Sequence, residues 1–226
     1  MAEHRDRGDS RGQPVLVIGL GRFGSSVALG LTSRGTEVLA IDNRAKVVQS
    51  LAGQLTHTVI ADATDIEALR QLGADEFSRA VVAIGNDLES SILTTSLLVE
   101  LEIDDIWAKT SSLQHGRILE RVGAHHVIFP EHDIGERVAH LVSGRMLDFF
   151  EVDHNHAIIK VRPPRQFIGK PMRETRIRAR FGLTVVAVKP AGGDVTYATP
   201  DTALAEHDVV FVLGKISDIE RFVENW

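Results

Sequence analysis

The chain has 226 residues and no cysteine. That excludes disulfides, thiolate metal sites and a cysteine nucleophile. No apolar run approaches the roughly 18 residues that a membrane-spanning helix needs. There is no basic excess either. The formal net charge is −6, which argues against a general nucleic-acid binder. Residues 1–13 are charged and polar, with no apolar stretch of the kind a signal peptide carries, and are expected to form a disordered tail. Hydrophobic residues make up 43% of the chain, ordinary for a soluble globule with a full core. The length suits one full domain and a smaller second one.

The most informative segment is Val15-Leu-Val-Ile-Gly19-Leu-Gly21-Arg22-Phe23-Gly24. Three glycines stand at the spacing G-x-G-x-x-G, directly behind a short β-branched and aliphatic run. The first glycine permits a tight turn and the second lets a phosphate approach the backbone. The third lets helix and strand pack closely. A helix starting near Phe23 would turn free N–H groups and its positive dipole end toward that phosphate. Arg22, inside the loop, offers a guanidinium for further phosphate contacts.

Context strengthens this weak motif. Val38 to Ile41 reads as a second strand, and Asp42 follows, 18 residues beyond Gly24. An acid about 20 residues on is the expected partner of ribose hydroxyls. An acid there also disfavours a 2′-phosphate. Arg44 follows Asp42 but does not replace it, so the reading is against NADP.

Strand-like and helix-like segments then alternate. Strands are predicted at Val15–Ile18, Glu37–Ile41, Thr58–Ala61, Arg79–Ile84, Asp105–Lys109 and His126–Phe129. Helices are predicted between them, one opened by a capping box over Thr64-Asp-Ile-Glu67 and a last one running from Pro130 to about Met146. Six alternating strands indicate a Rossmann-like, doubly wound parallel α/β sheet. After Phe150 the pattern changes. Strands at His156–Val161, Leu183–Val188, Val195–Tyr197 and Asp208–Leu213, with short helices, describe a smaller α+β C-terminal domain. The expected division is 14–150 and 151–226. His125 and His126, adjacent in a strand, should face opposite sides, one buried and one exposed. Arg173, Arg176 and Arg180 would share a helical face if that helix extended so far.

With both halves placed, the chain resembles the regulator-of-K⁺-conductance family, in particular its cytosolic Ktr/Trk-type potassium-uptake subunits. The carriers are Val17-Ile-Gly-Leu-Gly-Arg-Phe-Gly24, Val38-Leu-Ala-Ile-Asp42, Ala61-Asp-Ala-Thr64, Val81-Val-Ala-Ile-Gly85, Ile106-Trp-Ala-Lys109, Val122-Gly-Ala124 and Pro130-Glu131. Ile168-Gly-Lys170 and Arg178-Ala-Arg-Phe-Gly182 continue the series into the second module. The chain departs from the pattern at Lys189-Pro190-Ala191.

The resemblance implies a subunit without catalytic activity, at the inner face of the membrane. It would bind ATP and ADP, or NAD and NADH, in the first domain, and cyclic di-AMP in the second. It would form a homo-oligomer, a dimer of dimers or an octameric ring, under a membrane-embedded potassium-translocating subunit. Ring shape would gate the pore, which requires the ligand to bind two ring states unequally. The implied cofactor set is Gly19, Gly21, Arg22, Phe23, Gly24, Asp42, Asn43, Asp62, Ala63, Thr64, Ile84, Gly85 and Lys109. Within it Asp62 would face the adenine amino group and Arg22 a γ-phosphate. Lys109 reads equally as a phosphate or ribose contact and as a snorkelling surface lysine. Glu131 would bind Mg²⁺ or Ca²⁺ at the dimer interface beside the nucleotide, although an acid in a first helical turn also serves the helix dipole. Ile168, Ile177 and Arg178 would serve the second ligand.

Two other functions fit a dinucleotide fold. An NAD-dependent oxidoreductase would need a His–acid or Tyr–Lys arrangement to handle a proton. A nucleotide-sensing transcription factor would need a helix-turn-helix and a basic patch. Neither arrangement is visible in the sequence.

Overall fold

The computed structural model describes residues 12–142 and 146–224. Most of the expected tail, residues 1–11, lies outside the described residues. So does part of the stretch expected to carry the Pro130 helix to Met146.

Six strands form the first sheet: β1 (Val15–Ile18), β2 (Val38–Asp42), β3 (His57–Ile60), β4 (Arg79–Val82), β5 (Asp105–Lys109) and β6 (His126–Ile128). All pair in parallel, in the order β3-β2-β1-β4-β5-β6. The order reverses between β1 and β4, which opens a crevice at the carboxyl ends of the strands. Helices α1 (Arg22–Thr32), α2 (Ala45–Leu51), α3 (Ile66–Gln71), α4 (Leu88–Glu100), α5 (Leu113–Val122) and α6 (Pro130–Val142) fill the connections.

Strand β1 is buried along its whole length, and its side chains alternate between two cores. Leu16 and Ile18 pack with Leu69, Leu98 and Leu119 from α3, α4 and α5. Val15 and Val17 pack with Ala28, Val48 and Leu51 from α1 and α2. This two-sided burial explains the unbroken apolar run.

Local caps set the helix starts. Asp87 caps α4 by accepting from the Ser90 N–H, and Ser112 caps α5 by accepting from the His115 N–H. The expected capping box is displaced by one residue. Asp65, not Thr64, caps α3, accepting from the Glu67 N–H at 2.9 Å. Thr64 is engaged upstream, where both its N–H and its hydroxyl donate to Asp62 Oδ1, at 2.9 and 2.7 Å. His125 and His126 are both exposed, so no buried histidine arises there. His126 stacks on Trp107 with ring centroids 4.0 Å apart.

The second sheet is antiparallel. It consists of β7 (Asp148–Asp153), β8 (His156–Val161), β9 (Thr184–Lys189), β10 (Thr196–Tyr197) and β11 (Val209–Lys215), in the order β10-β9-β11-β8-β7. With α7 (Met172–Thr175), α8 (Ile177–Phe181) and α9 (Ile216–Glu224) it encloses a core that includes Ile159, Phe167, Leu183, Val212, Ile219 and Phe222.

The division of the chain into compact units falls earlier than the expected boundary at residue 150. The compact units part between His132 and Asp133. Asp148–Asp153 is a strand of the second sheet, with Phe149 opposite Ile159. Arg137 in α6 donates to Asp148 Oδ1 from Nε and Nη2, at 2.9 and 2.7 Å, so the later turns of α6 belong there too. Residues 154–155 are the tip of the β7–β8 hairpin, where Asp153 accepts from the Asn155 and His156 N–H groups. Arg176 is left-handed (φ 51°) between α7 and α8. That break removes the single helical face expected for Arg173, Arg176 and Arg180.

Gly24 carries the tightest constraint of the first unit. A Cβ there would lie 1.9 Å from the Gly19 carbonyl oxygen and 2.9 Å from the Ala83 Cβ. Gly24→Ala is expected to cost about 1–3 kcal/mol, read as a lower urea midpoint with an unchanged slope.

Candidate nucleotide-binding site

At the carboxyl ends of the first sheet lies a cavity of about 310 Å³. It is built wholly from the first unit, with walls from the β1–α1 loop, the end of β2, the β3–α3 loop, the β4–α4 loop, Lys109 and Glu131.

The three glycines have three different jobs. Gly19 adopts φ +89°, and a Cβ there would press on the Ala83 backbone at 3.1 Å. It makes the turn, while its N–H donates to the Ile41 carbonyl at 2.8 Å. Gly24 lets α1 sit against that turn. Gly21 needs neither property. Its φ is −68°, which any residue adopts, and a Cβ there would meet no atom within 4 Å. It lines the cavity as the residue preceding α1, at a helix N-terminus whose first N–H groups lack helical partners.

Asp42 ends β2 with its carboxylate buried. Oδ2 accepts from the Leu20 N–H at 2.7 Å and from Arg44 Nη2 at 2.8 Å. Oδ1 accepts from the Arg44 N–H and Nε, both at 2.9 Å. Burial by itself would raise this carboxyl. The Arg44 side chain and the Leu20 and Arg44 amides outweigh it and hold the group below its ordinary range. Asp62 is exposed and likewise lowered, by the Thr64 amide and hydroxyl.

Across the cavity, Lys109 Nζ donates to Glu131 Oε1 at 2.7 Å. The Lys109 side chain is only 12% exposed. It runs beneath Gly85, where a Cβ would meet Nζ at 3.1 Å, and its ammonium stands 5.8 Å from the Phe23 ring centroid. Glu131 is held low first by this hydrogen bond, with a smaller contribution from the Arg22 charge.

The structure gathers Gly19, Gly21, Arg22, Phe23, Asp42, Asn43, Asp62, Ala63, Thr64, Ile84, Gly85, Lys109 and Glu131 around one cavity. Gly24 is not in its wall but supports it from below. Sequence reasoning passed over Asn86, Asp87, Ser90 and Thr94, which complete the β4–α4 wall. The D-x-x-S cap following Gly85 was the available signal, because a loop leaving the carboxyl end of a parallel strand faces the crevice. It also did not foresee that Arg44 would pair with Asp42.

Among the described residues no group of three or more His, Asp or Glu could hold a metal. Glu131, which the resemblance places at a cation site of the dimer interface, pairs with Lys109 within the chain. In the second unit, Ile177 is buried in the core, Ile168 bridges to Leu204, and Arg178 is exposed.

Residues 15–130 match the TrkA-N domain and residues 156–225 the TrkA-C domain. The chain belongs to the Ktr/Trk family of K⁺-conductance regulators. Ktr system potassium uptake protein A of Bacillus subtilis (strain 168) is 36% identical over 95% of this chain and 97% of its own length. Protein C of the same system and strain is 35% identical over 91% and 94%. Among solved structures, the GsuK channel bound to NAD superposes with a TM-score of 0.62 at 20% identity, over 93% of this chain and 38% of that one. That likeness concerns the fold.

Because the Asp42 carboxyl is depressed in the folded chain, its contribution to stability is present above the unfolded pKa. It is lost as pH falls through the folded pKa. Asp42→Asn is therefore expected to cost about 1–2 kcal/mol near neutrality, with the gap to wild type narrowing below about pH 4. Urea unfolding of both proteins across that range checks it.

Proposed function

We propose that the first unit binds an adenine nucleotide and that the chain is the regulatory subunit of a potassium-uptake system. The observation that carries the nucleotide reading is Gly21. Neither its backbone conformation nor any protein atom requires a glycine there, yet it lines the cavity at the start of α1. A phosphate seated against that backbone accounts for the missing side chain. Around it, Asp42 takes the ribose, Asp62 the adenine amino group, and Arg22 and Lys109 the phosphates. The preferred ligands are ATP and ADP, with NAD and NADH as the second reading. The GsuK channel, which shares the fold, has been solved with NAD bound.

The site binds without turning over. Its lining includes no histidine, tyrosine or cysteine, which counts against the hydride-transfer alternative. The names of the Bacillus relatives support a membrane-embedded potassium-translocating subunit as partner, met from the cytoplasmic side. No helix among the described residues is long and apolar enough to cross a membrane itself. Assembly with further copies is supported by α6. It buries none of its residues and exposes Ile134, Val138 and Val142, spaced as one helical stripe. Nucleotide exchange changes the shape of that assembly and with it the pore.

Gly21→Ala tests the nucleotide reading. It should change stability by less than about 1 kcal/mol while weakening ATP binding at least about tenfold, a loss of about 1.4 kcal/mol, in calorimetry. Unchanged affinity would sink the reading. Arg22→Ala should weaken ATP more than ADP, and equal losses would remove its γ-phosphate role. Light scattering should find several copies per particle, whereas a stable monomer would overturn the assembly.

A further inference from the structure

The pairing of Arg44 with Asp42 has a consequence for the nucleotide site, and it rests on the adenine-nucleotide reading above. A carboxylate offers about four acceptor positions, and all four at Asp42 are taken. Two are filled by backbone amides that cannot leave without moving the fold: Leu20, within the glycine loop, and Arg44, the residue preceding α2. The other two are filled by Nε and Nη2 of the Arg44 side chain. That side chain is 58% exposed, whereas the Asp42 side chain is 4% exposed. It caps nothing in α2, because this helix start has no side-chain cap. Among the described residues only Asp42 holds the guanidinium, and Arg44 also lines the cavity.

We infer that Arg44 is a displaceable counter-ion: it occupies the ribose position of Asp42 in the empty site and must swing out for a ribose diol to enter. A vicinal diol brings two O–H donors, the same number as the two side-chain N–H donors it replaces. O–H···O⁻ bonds to a buried carboxylate are short and strong. The exchange keeps Asp42 fully hydrogen-bonded in both states, and the rest of the cavity need not move. Without Arg44, the empty site would hold a buried carboxylate with two unfilled acceptors, a costly arrangement. With it, the empty state is stabilised and affinity is lowered by the strength of a half-exposed ion pair, which is small. Arg44 thereby selects for ligands that present both hydroxyls.

The test is calorimetry on the full chain with ATP and with 2′-deoxy-ATP. Arg44→Met keeps the aliphatic stem and removes the fork. It should bind ATP about two- to fivefold more tightly than wild type, the equivalent of one exposed ion pair. The gain should be smaller for 2′-deoxy-ATP, which can replace only one of the two bonds. Arg44→Lys should fall between. A structural role alone would not distinguish the two ligands. ATP binding by Arg44→Met should also fail at a higher pH than in wild type as acid is added, because Asp42 has lost two bonds that favour its charged form. Weaker ATP binding by Arg44→Met would show that the guanidinium contacts the ligand, and would overturn the inference. So would unchanged affinity alongside normal wild-type binding. NADPH binding tighter than NADH in wild type would overturn it too, by showing that Arg44 pairs with a 2′-phosphate. Failure of wild type to bind any adenine nucleotide would instead refute the nucleotide reading itself, and this inference with it. Thermal melts of each variant identify a change that is merely one of folding.

Discussion

The site depends on one steric constraint, the contact between the start of α1 and the turn that feeds it. Gly24 lies so close to the Gly19 carbonyl that no side-chain carbon fits between them. The contact brings the N-terminal turn of α1 down onto the end of β1 and places Gly21 at the crevice where the strand order reverses. The free amide groups of the helix start then meet the cavity instead of bulk water. Moving α1 outward by one methyl group would lift the helix start away from the crevice while leaving the sheet intact.

Charge at the crevice is arranged around that platform in two pairs. On one side Asp42 is held by Arg44 and the Leu20 amide. On the other Lys109 is held by Glu131. Each pair joins a poorly exposed member to a well exposed one: Asp42 with Arg44, and Lys109 with Glu131. The inner member of each is therefore fixed by the fold and the outer one is free to rearrange. An anionic ligand with a diol at one end and phosphates at the other meets opposite charges in the order it needs them.

Much of this was legible before any coordinates. The glycine spacing, the β1 run and Asp42 carry a mechanism in their order, and each occupies the expected part of the crevice. The strands of the first sheet were legible because burial on both faces leaves an apolar run that polar loops interrupt. Strand β7 was not. Asp148-Phe-Phe-Glu-Val-Asp153 is an edge strand, mostly exposed, and its hydrophobic alternation is broken by the adjacent phenylalanines. Arg176 was hidden for another reason: an arginine in a left-handed conformation is unusual, and nothing local in the sequence announces it. The Arg44 clamp was missed because the sequence shows that Arg44 is near Asp42 but not which way its side chain turns.

The cavity draws its walls from residues as far apart as Ile18 and Glu131, and β1 pairs with β4 across more than 60 residues of intervening chain, Leu16 opposite Ala80. Such long-range pairing is slow to assemble. During synthesis the pocket is incomplete until Lys109 and Glu131 have emerged. A ligand seated there would act as a clasp on a unit whose two halves are otherwise joined through the β1–β4 seam. Ligand at 100 times its dissociation constant would add about 2.7 kcal/mol to the folded state. A bound ligand would therefore tie the stability of this unit to the ligand's concentration.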